Sequence, residues 1–290
     1  MLRRLKYLVQ DPPPPVIVEI SAAGVSAVKR DPKTSAIAAR VRIDFSPGLL
    51  DPSPNRSNVQ DAAAFDEAIG SVLDELGDLR RPDVALILPD NCSRLTVIDF
   101  DTMPGDANER LKLVRFRLKK TVPFDVEEAR VIYRAWPAAK GLVALVAATP
   151  GEIIRQYEAP FEHRGLWPGY VSLSTCAALN LLPEGSMTLF AKKTGLELTM
   201  AAVEGGMVRM VRSLDLTASA SDDDWSESAR DIFPTLVFIE DHFGSPVSKL
   251  VLCGFDSLPV DTGCEVERLR STEGAVDSRE AGIWGFLSVN

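Results

Sequence analysis

The sequence has little of what metal and nucleophilic chemistry usually draws on. There are only two histidines, His163 and His242, in unrelated segments, so a histidine metal site or a catalytic triad finds few parts. The four cysteines (Cys92, Cys176, Cys253, Cys264) lie far apart without paired CxxC ligand spacing, and reduced, mostly buried thiols are expected. No segment approaches the roughly 20 consecutive apolar residues of a membrane-spanning helix. The opening Met1–Gln10 is basic and mildly apolar, but its apolar run is too short for a signal peptide and lacks a small-residue cleavage site. A cytoplasmic location is therefore expected. Positive charge is in deficit, with a formal net charge of −9, which argues against a general nucleic-acid binder.

What is present is a globular composition, 46% hydrophobic and 25% charged, over 290 residues, enough for about two domains. The proline tract Asp11–Pro15 reads as a stiff spacer. Val16–Ile20 and Val25–Lys29 read as strands joined by a Ser-Ala-Ala-Gly turn, with a further strand over Ala36–Phe45. Apolar spacing predicts a helix over Asp61–Leu76 with Asp61 as N-cap. Val84–Leu88 has the look of a buried strand, and Arg94–Phe100 alternates. Ala107–Lys120 is a basic helix, stopped by Pro123. A hairpin (Ala129–Trp136 with Gly141–Ala148), a helix (Pro150–His163), a short strand (Tyr170–Leu173) and a helix (Ser174–Leu182) follow. Then come a meander (Met187–Phe190, Leu196–Val203, Met207–Arg212) and a polar, mobile stretch (Ala218–Ser228). A helix interrupted near its start by Pro234 (Ser228–Phe243), a buried strand (Lys249–Cys253) and a short docked helix (Glu280–Leu287) close the chain. The order is not the strict alternation of a Rossmann sheet.

Glycine-bearing turns follow Ile20, lie near Lys193–Gly195, and follow Cys253, in the places of the two phosphate turns and the adenosine turn of actin-like ATPases. The strand Glu19-Ile20-Ser21, the strand pair Ala85–Pro89 and Arg94–Asp99, and the basic helix Lys112–Lys120 ending in Val122-Pro123-Phe124 before Tyr133 match PilM-type proteins in order and spacing. So do Arg164-Gly165-Leu166-Trp167-Pro168 through Ser174–Leu179, and Leu196–Arg212. Over nearly its whole length the chain resembles this actin-like family of the type IV pilus machine, and less closely GspL and FtsA. The resemblance implies an α/β, actin-like (ribonuclease H-like) two-lobed fold. Its first lobe would span 1–183, with a small α+β subdomain inserted at about 36–148, and a shortened second lobe would span 184–290.

The departures from the family carry the functional expectation. Ser21 replaces the glycine of the first phosphate turn, the second turn's Asp and Gly fall on Ala191 and Lys193, and the paired glycines of the third become Gly254-Phe255, with a phenyl ring in the way. Only about a dozen polar residues separate Leu214 from the next helix, where the family inserts helices over the adenine. Glu19, Ser21, Lys193 and Gly254 therefore mark degenerate nucleotide turns. No cofactor is expected, ATP and magnesium included, and no catalytic or metal-binding residue is assigned. The resemblance implies a scaffold of a pilus or secretion assembly platform, peripheral to the inner membrane through a PilN-like bitopic protein and in contact with other platform proteins. Its tail would lie between the first lobe and the insert, on Val84, Leu86, Leu88, Leu95, Val97, Pro123 and Phe124. The rival is an active actin-fold ATPase or sugar-kinase relative, which Glu19 keeps open. A GspL-like piece of a membrane protein is disfavoured by the short final helix.

Other features read more plainly. Lys192-Lys193 reads as a solvated doublet, Glu127-Glu128 and Asp222–Asp224 as exposed charge. Ser21 and Cys176 have no general base close in sequence. The basic helix with Arg110, Lys112, Arg115, Arg117, Lys119 and Lys120 faces acidic lipid, an acidic partner or simply solvent.

Overall fold

The computed structural model describes residues 12–31, 33–79, 81–216, 224–259 and 262–289. The apolar runs of the sequence become two five-stranded sheets with the same topology. In the first, β1 (Val16–Ser21), β2 (Gly24–Arg30) and β3 (Ile37–Asp44) form an antiparallel meander. β4 (Asp83–Leu88) then joins β1 in parallel, and β8 (Trp167–Leu173) joins β4, giving the order β3-β2-β1-β4-β8. In the second, β9 (Thr188–Thr194), β10 (Glu197–Glu204) and β11 (Met207–Asp215) repeat the meander. β12 (Lys249–Cys253) and β13 (Glu265–Arg268) repeat the parallel pair, in the order β11-β10-β9-β12-β13. The strands in the middle of each sheet are covered on both faces. That is why they read as unbroken apolar runs and not as alternation.

Helix α1 (Ala62–Glu75) starts where Asp61 accepts from the backbone N–H groups of Ala63 and Ala64, and it buries Phe65, Ile69, Val72 and Leu73 against the first sheet. Between β4 and β8 lies a separate α+β unit. It comprises β5 (Arg94–Phe100), α2 (Ala107–Leu118), β6 (Ala129–Pro137) and β7 (Leu142–Pro150), with its own core of Phe100, Val114, Leu118, Val131 and Val146. The insertion therefore begins near residue 94. β3, α1 and β4, which the sequence reading puts inside it from 36, belong to the first lobe, because β4 pairs with β1 and α1 covers β3. Helix α2 ends at Leu118, in a turn in which Thr121 and Val122 donate to the Leu118 carbonyl just before Pro123.

After α3 (Gly151–Glu162) and the short α4 (Ser174–Ala178), the second sheet is covered by α5 (Asp224–Phe243). Pro234 lies inside α5, which runs on through it. The small strands β13, β14 (Arg270–Ser271) and β15 (Gly274–Ala275) have no counterpart in the sequence reading. The expected basic start (Met1–Gln10) and residues 218–223 of the polar stretch lie outside the described residues.

The last helix, α6 (Ala281–Val289), returns to the first lobe. Two glycines let it come so close. A Cβ on Gly285 would meet the Ala177 carbonyl oxygen at 2.0 Å, and one on Gly282 would meet Ile87 Cγ2 at 2.6 Å.

Candidate functional site

The floor between the two lobes is a chain of buried polar groups. Asp90 follows the end of β4, Ser174 and Thr175 open α4, and Lys192 projects from β9. Asp90 is fully buried, and its carboxylate accepts from the backbone N–H of Thr175 (2.8 Å) and from the Thr175 hydroxyl (2.6 Å). The Lys192 ammonium, 3% exposed, sits 2.9 Å from Asp90 Oδ2 and donates to Ser174 Oγ at 2.6 Å. Ser174 in turn donates to Glu19 Oε1, and the other Glu19 oxygen accepts from the backbone N–H of Ile283 (2.9 Å) in the first turn of α6. Glu19 is thus held at a helix N-terminus, where a negative charge is favoured.

Charge balance holds this chain together. Burial acts to strip the Lys192 proton, but the carboxylates of Asp90, Glu197 and Glu19 outweigh it and raise its pKa. Burial raises the Glu19 carboxyl above its ordinary value, against the pull of Lys192, Ser174 and the helix N–H groups. Glu197 of β10 accepts from the backbone N–H of Asn91 (2.9 Å). Burial and then the nearby Asp90 charge push it up to about 8. Asn91 Nδ2 also donates to Asp215 (2.6 Å), tying β11 to the first lobe. A second cross-link joins β3 to the turn before α6. There Arg40 and Arg42 both hold Glu280, Arg42 reaches Asp277 (2.8 Å), and Arg279 reaches Asp44 (2.6 Å).

Magnesium and a triphosphate need free carboxylates and open backbone, and these residues do not fit that demand. Glu19 and Asp90 are already coordinated by the protein's own donors, with a lysine ammonium between them. Ser21 turns its hydroxyl onto the Gly24 carbonyl of its own hairpin (3.2 Å). Lys193 is half-buried. At Gly254 (φ +82°), an added Cβ would lie 2.0 Å from the Lys193 carbonyl oxygen and 2.8 Å from Ser278 Cβ, so that turn is closely packed. The Phe255 ring does not block the cleft as the sequence suggested. It is 3% exposed in the core of the second lobe, 6.0 Å from the Trp225 ring. Among the described residues no cluster of three or more His, Cys, Asp or Glu side chains is arranged to hold a metal ion.

Lys192 corrects the solvated-doublet reading. Its sequence signal is its place in β9, directly after the apolar Leu189-Phe190-Ala191, where a charge must find a buried partner. Asp90 had a weaker signal, an acid directly after the Pro89 that ends a buried strand. Ser174, Thr175 and Glu197 had none that spacing reveals.

The partner groove also moves. Val84, Leu86 and Leu88 are at most 1% exposed, because β4 is sandwiched between β1 and β8 and covered on both faces. None of the three can touch a partner. Pro123 is exposed and Phe124 packs onto the insert's own core. Val97 faces a different cleft, of about 400 Å³, against Arg209, Phe238 and His242. Of the expected set, Leu95 alone reaches the larger cleft of about 470 Å³ between the insert and the lobes. Its floor is Leu95, Leu145 and Ala147, and its walls include Tyr133, Trp136 and Tyr170. Ile132 (52% exposed) and Tyr170 (38%) present apolar surface at its rim.

Two sheets of one topology joined at a polar floor, with an insert between β4 and β8 of the first, define a two-lobed actin-like α/β fold. The comparisons agree. The chain is similar to one in the PilM–PilN type IV pilus biogenesis complex, with TM-score 0.78, 20% identity, and 95% of this chain and 98% of that one covered. It is also similar to the cytoplasmic domain of EpsL, an inner-membrane component of the type II secretion system of Vibrio cholerae (TM-score 0.59, 12% identity, 94% of each chain). A third is a Bacteroides thetaiotaomicron protein with an actin-like ATPase fold and unknown function (TM-score 0.56, 11% identity, 92% and 93% covered). At these identities the likeness is one of fold. No protein-family model matches the sequence, and no curated protein matches it.

Proposed function

We propose that this chain is a non-catalytic adaptor of a type IV pilus or related secretion assembly platform. In this reading it works at the cytoplasmic face of the inner membrane and holds the tail of a PilN-like single-spanning protein. The observation that carries the proposal is the Lys192 ammonium lodged among Glu19, Asp90 and Glu197. An internal cation takes the place that a bound metal would need, so the lobes are held together without a nucleotide. The cleft of about 470 Å³ supplies what an extended apolar tail requires, an aliphatic floor and aromatic walls.

The test has two arms. Calorimetry with ATP and magnesium is expected to show no binding, and micromolar affinity would restore the enzyme reading. Titration with the tail peptide of a single-spanning membrane protein encoded beside this chain is expected to show binding. The paired change Ile132→Asp and Tyr170→Ser should weaken it at least about tenfold, the scale set by losing a buried apolar anchor. Unchanged peptide affinity in that variant would remove the cleft from the proposal.

A further inference from the structure

Six basic side chains cluster on or just after α2, and the structure divides them by task. Arg115 turns inward and donates to the carbonyls of Val126 and Ala129 (3.0 Å to the latter), fastening the helix to the loop before β6. Arg117 lies over the Phe100 ring, 5.5 Å from its centroid. Arg110 is half-buried. Lys112, Lys119 and Lys120 are exposed, and among the described residues none of the three has an ion pair. Elsewhere on the surface Arg40, Arg42, Arg56, Arg81 and Lys249 each hold a carboxylate.

Positions 112, 116 and 119, the last at the helix cap, follow the i, i+4, i+7 spacing and share one face, and Lys120 follows in the turn beyond it. In the middle of that face stands Phe116, 64% exposed. Glu109 is the one acid on the same face, a turn earlier. No residue of 107–120 lines the clefts of about 470 and 400 Å³. The whole chain carries −9, so its overall field does not attract anions. Only a local patch does.

We infer that the Lys112–Phe116–Lys119–Lys120 face at the end of α2 docks on an anionic phospholipid surface. Three unpaired ammonium groups on flexible stems reach anionic headgroups in a plane, and a single aromatic ring between them enters the interfacial layer. A protein partner would have to supply both a cavity for Phe116 and carboxylates at the spacing of the three ammonium groups. A bilayer offers both at once, a plane of anionic headgroups and an apolar layer beneath it. The inference does not depend on the adaptor reading, because it uses neither the interlobe floor nor the tail cleft.

The experiment is flotation of the full chain with phosphatidylcholine vesicles, with and without about a third phosphatidylglycerol, at low and high salt. Binding is expected only to the anionic vesicles and is weakened by salt. Lys112→Glu with Lys119→Glu and Lys120→Glu should lower the bound fraction at least about tenfold, and Phe116→Ala several-fold. The same three charge reversals placed on exposed Arg94, Lys140 and Arg270 should leave binding nearly unchanged. Equal loss in that control set, binding indifferent to lipid charge, or no vesicle binding alongside capture of a poly-glutamate peptide would each overturn the inference. Circular dichroism checks that the variants stay folded.

Discussion

Replacing Lys192 by methionine keeps the stem volume and removes the charge. Two contacts of the ammonium then vanish, to Asp90 at 2.9 Å and Ser174 at 2.6 Å, while Asp90 stays at 0% exposure with only Thr175 to satisfy it. A carboxylate so placed is left buried without its cation. Breaking a buried ion pair by removing one partner costs roughly 3–5 kcal/mol. We expect Lys192→Met to lower unfolding stability by about 4 kcal/mol in urea denaturation at neutral pH, with the m-value unchanged. Adding Asp90→Asn removes the stranded charge while keeping an acceptor for Thr175, so the double variant should recover about 2 kcal/mol relative to Lys192→Met alone. A loss under about 1 kcal/mol for Lys192→Met, or a double variant no better than the sum of the singles, would refute the claim that this pair holds the interlobe floor.

Other predictions concern the same floor and the final helix. Glu197, whose folded pKa near 8 lies above its ordinary 4.5, holds a proton that the unfolded chain releases. Its contribution is therefore complete below about pH 4.5 and declines as pH rises toward about 8, by at most about 1.4 kcal/mol per pH unit. Glu197→Gln keeps the acceptor for Asn91 and should flatten the stability profile in that window relative to the parent; identical profiles would count against the burial of this acid. Gly285→Ala drives a methyl into the Ala177 carbonyl, 2.0 Å away, and should lower stability by about 2–3 kcal/mol and speed hydrogen exchange in α6; a neutral result would mean that α6 docks elsewhere. Glu280→Ala strips the shared partner of Arg40 and Arg42. Because Arg40 is half-exposed, water replaces part of the loss, and calorimetric melting should show a drop of only about 1–2 kcal/mol.

Elements whose pattern is local were legible in the sequence. The apolar runs Val16–Ile20, Val84–Leu88 and Lys249–Cys253 are central strands, the Asp61-capped segment is a helix, and the two stretches around Pro137–Gly141 are a hairpin. The motif order pointed to the actin-like fold. Membership of a strand in one sheet or another was not legible, since nothing local in β4 or β5 says which strand each pairs with, yet one is the heart of the first sheet and the other belongs to the insert. Val84, Leu86 and Leu88 fell in a groove only by matching segments to the family, whereas the unbroken apolar run itself marks a strand covered on both faces.

By itself the sequence determined most of the backbone pattern and the order of the main elements, because each is a property of a residue and its near neighbours. Tertiary structure alone decided where the charges went. Glu19 meets Ile283 across 264 positions, and Lys192 meets an aspartate from the other lobe. Coulomb attraction and desolvation depend on distance in space and on burial, and chain spacing encodes neither.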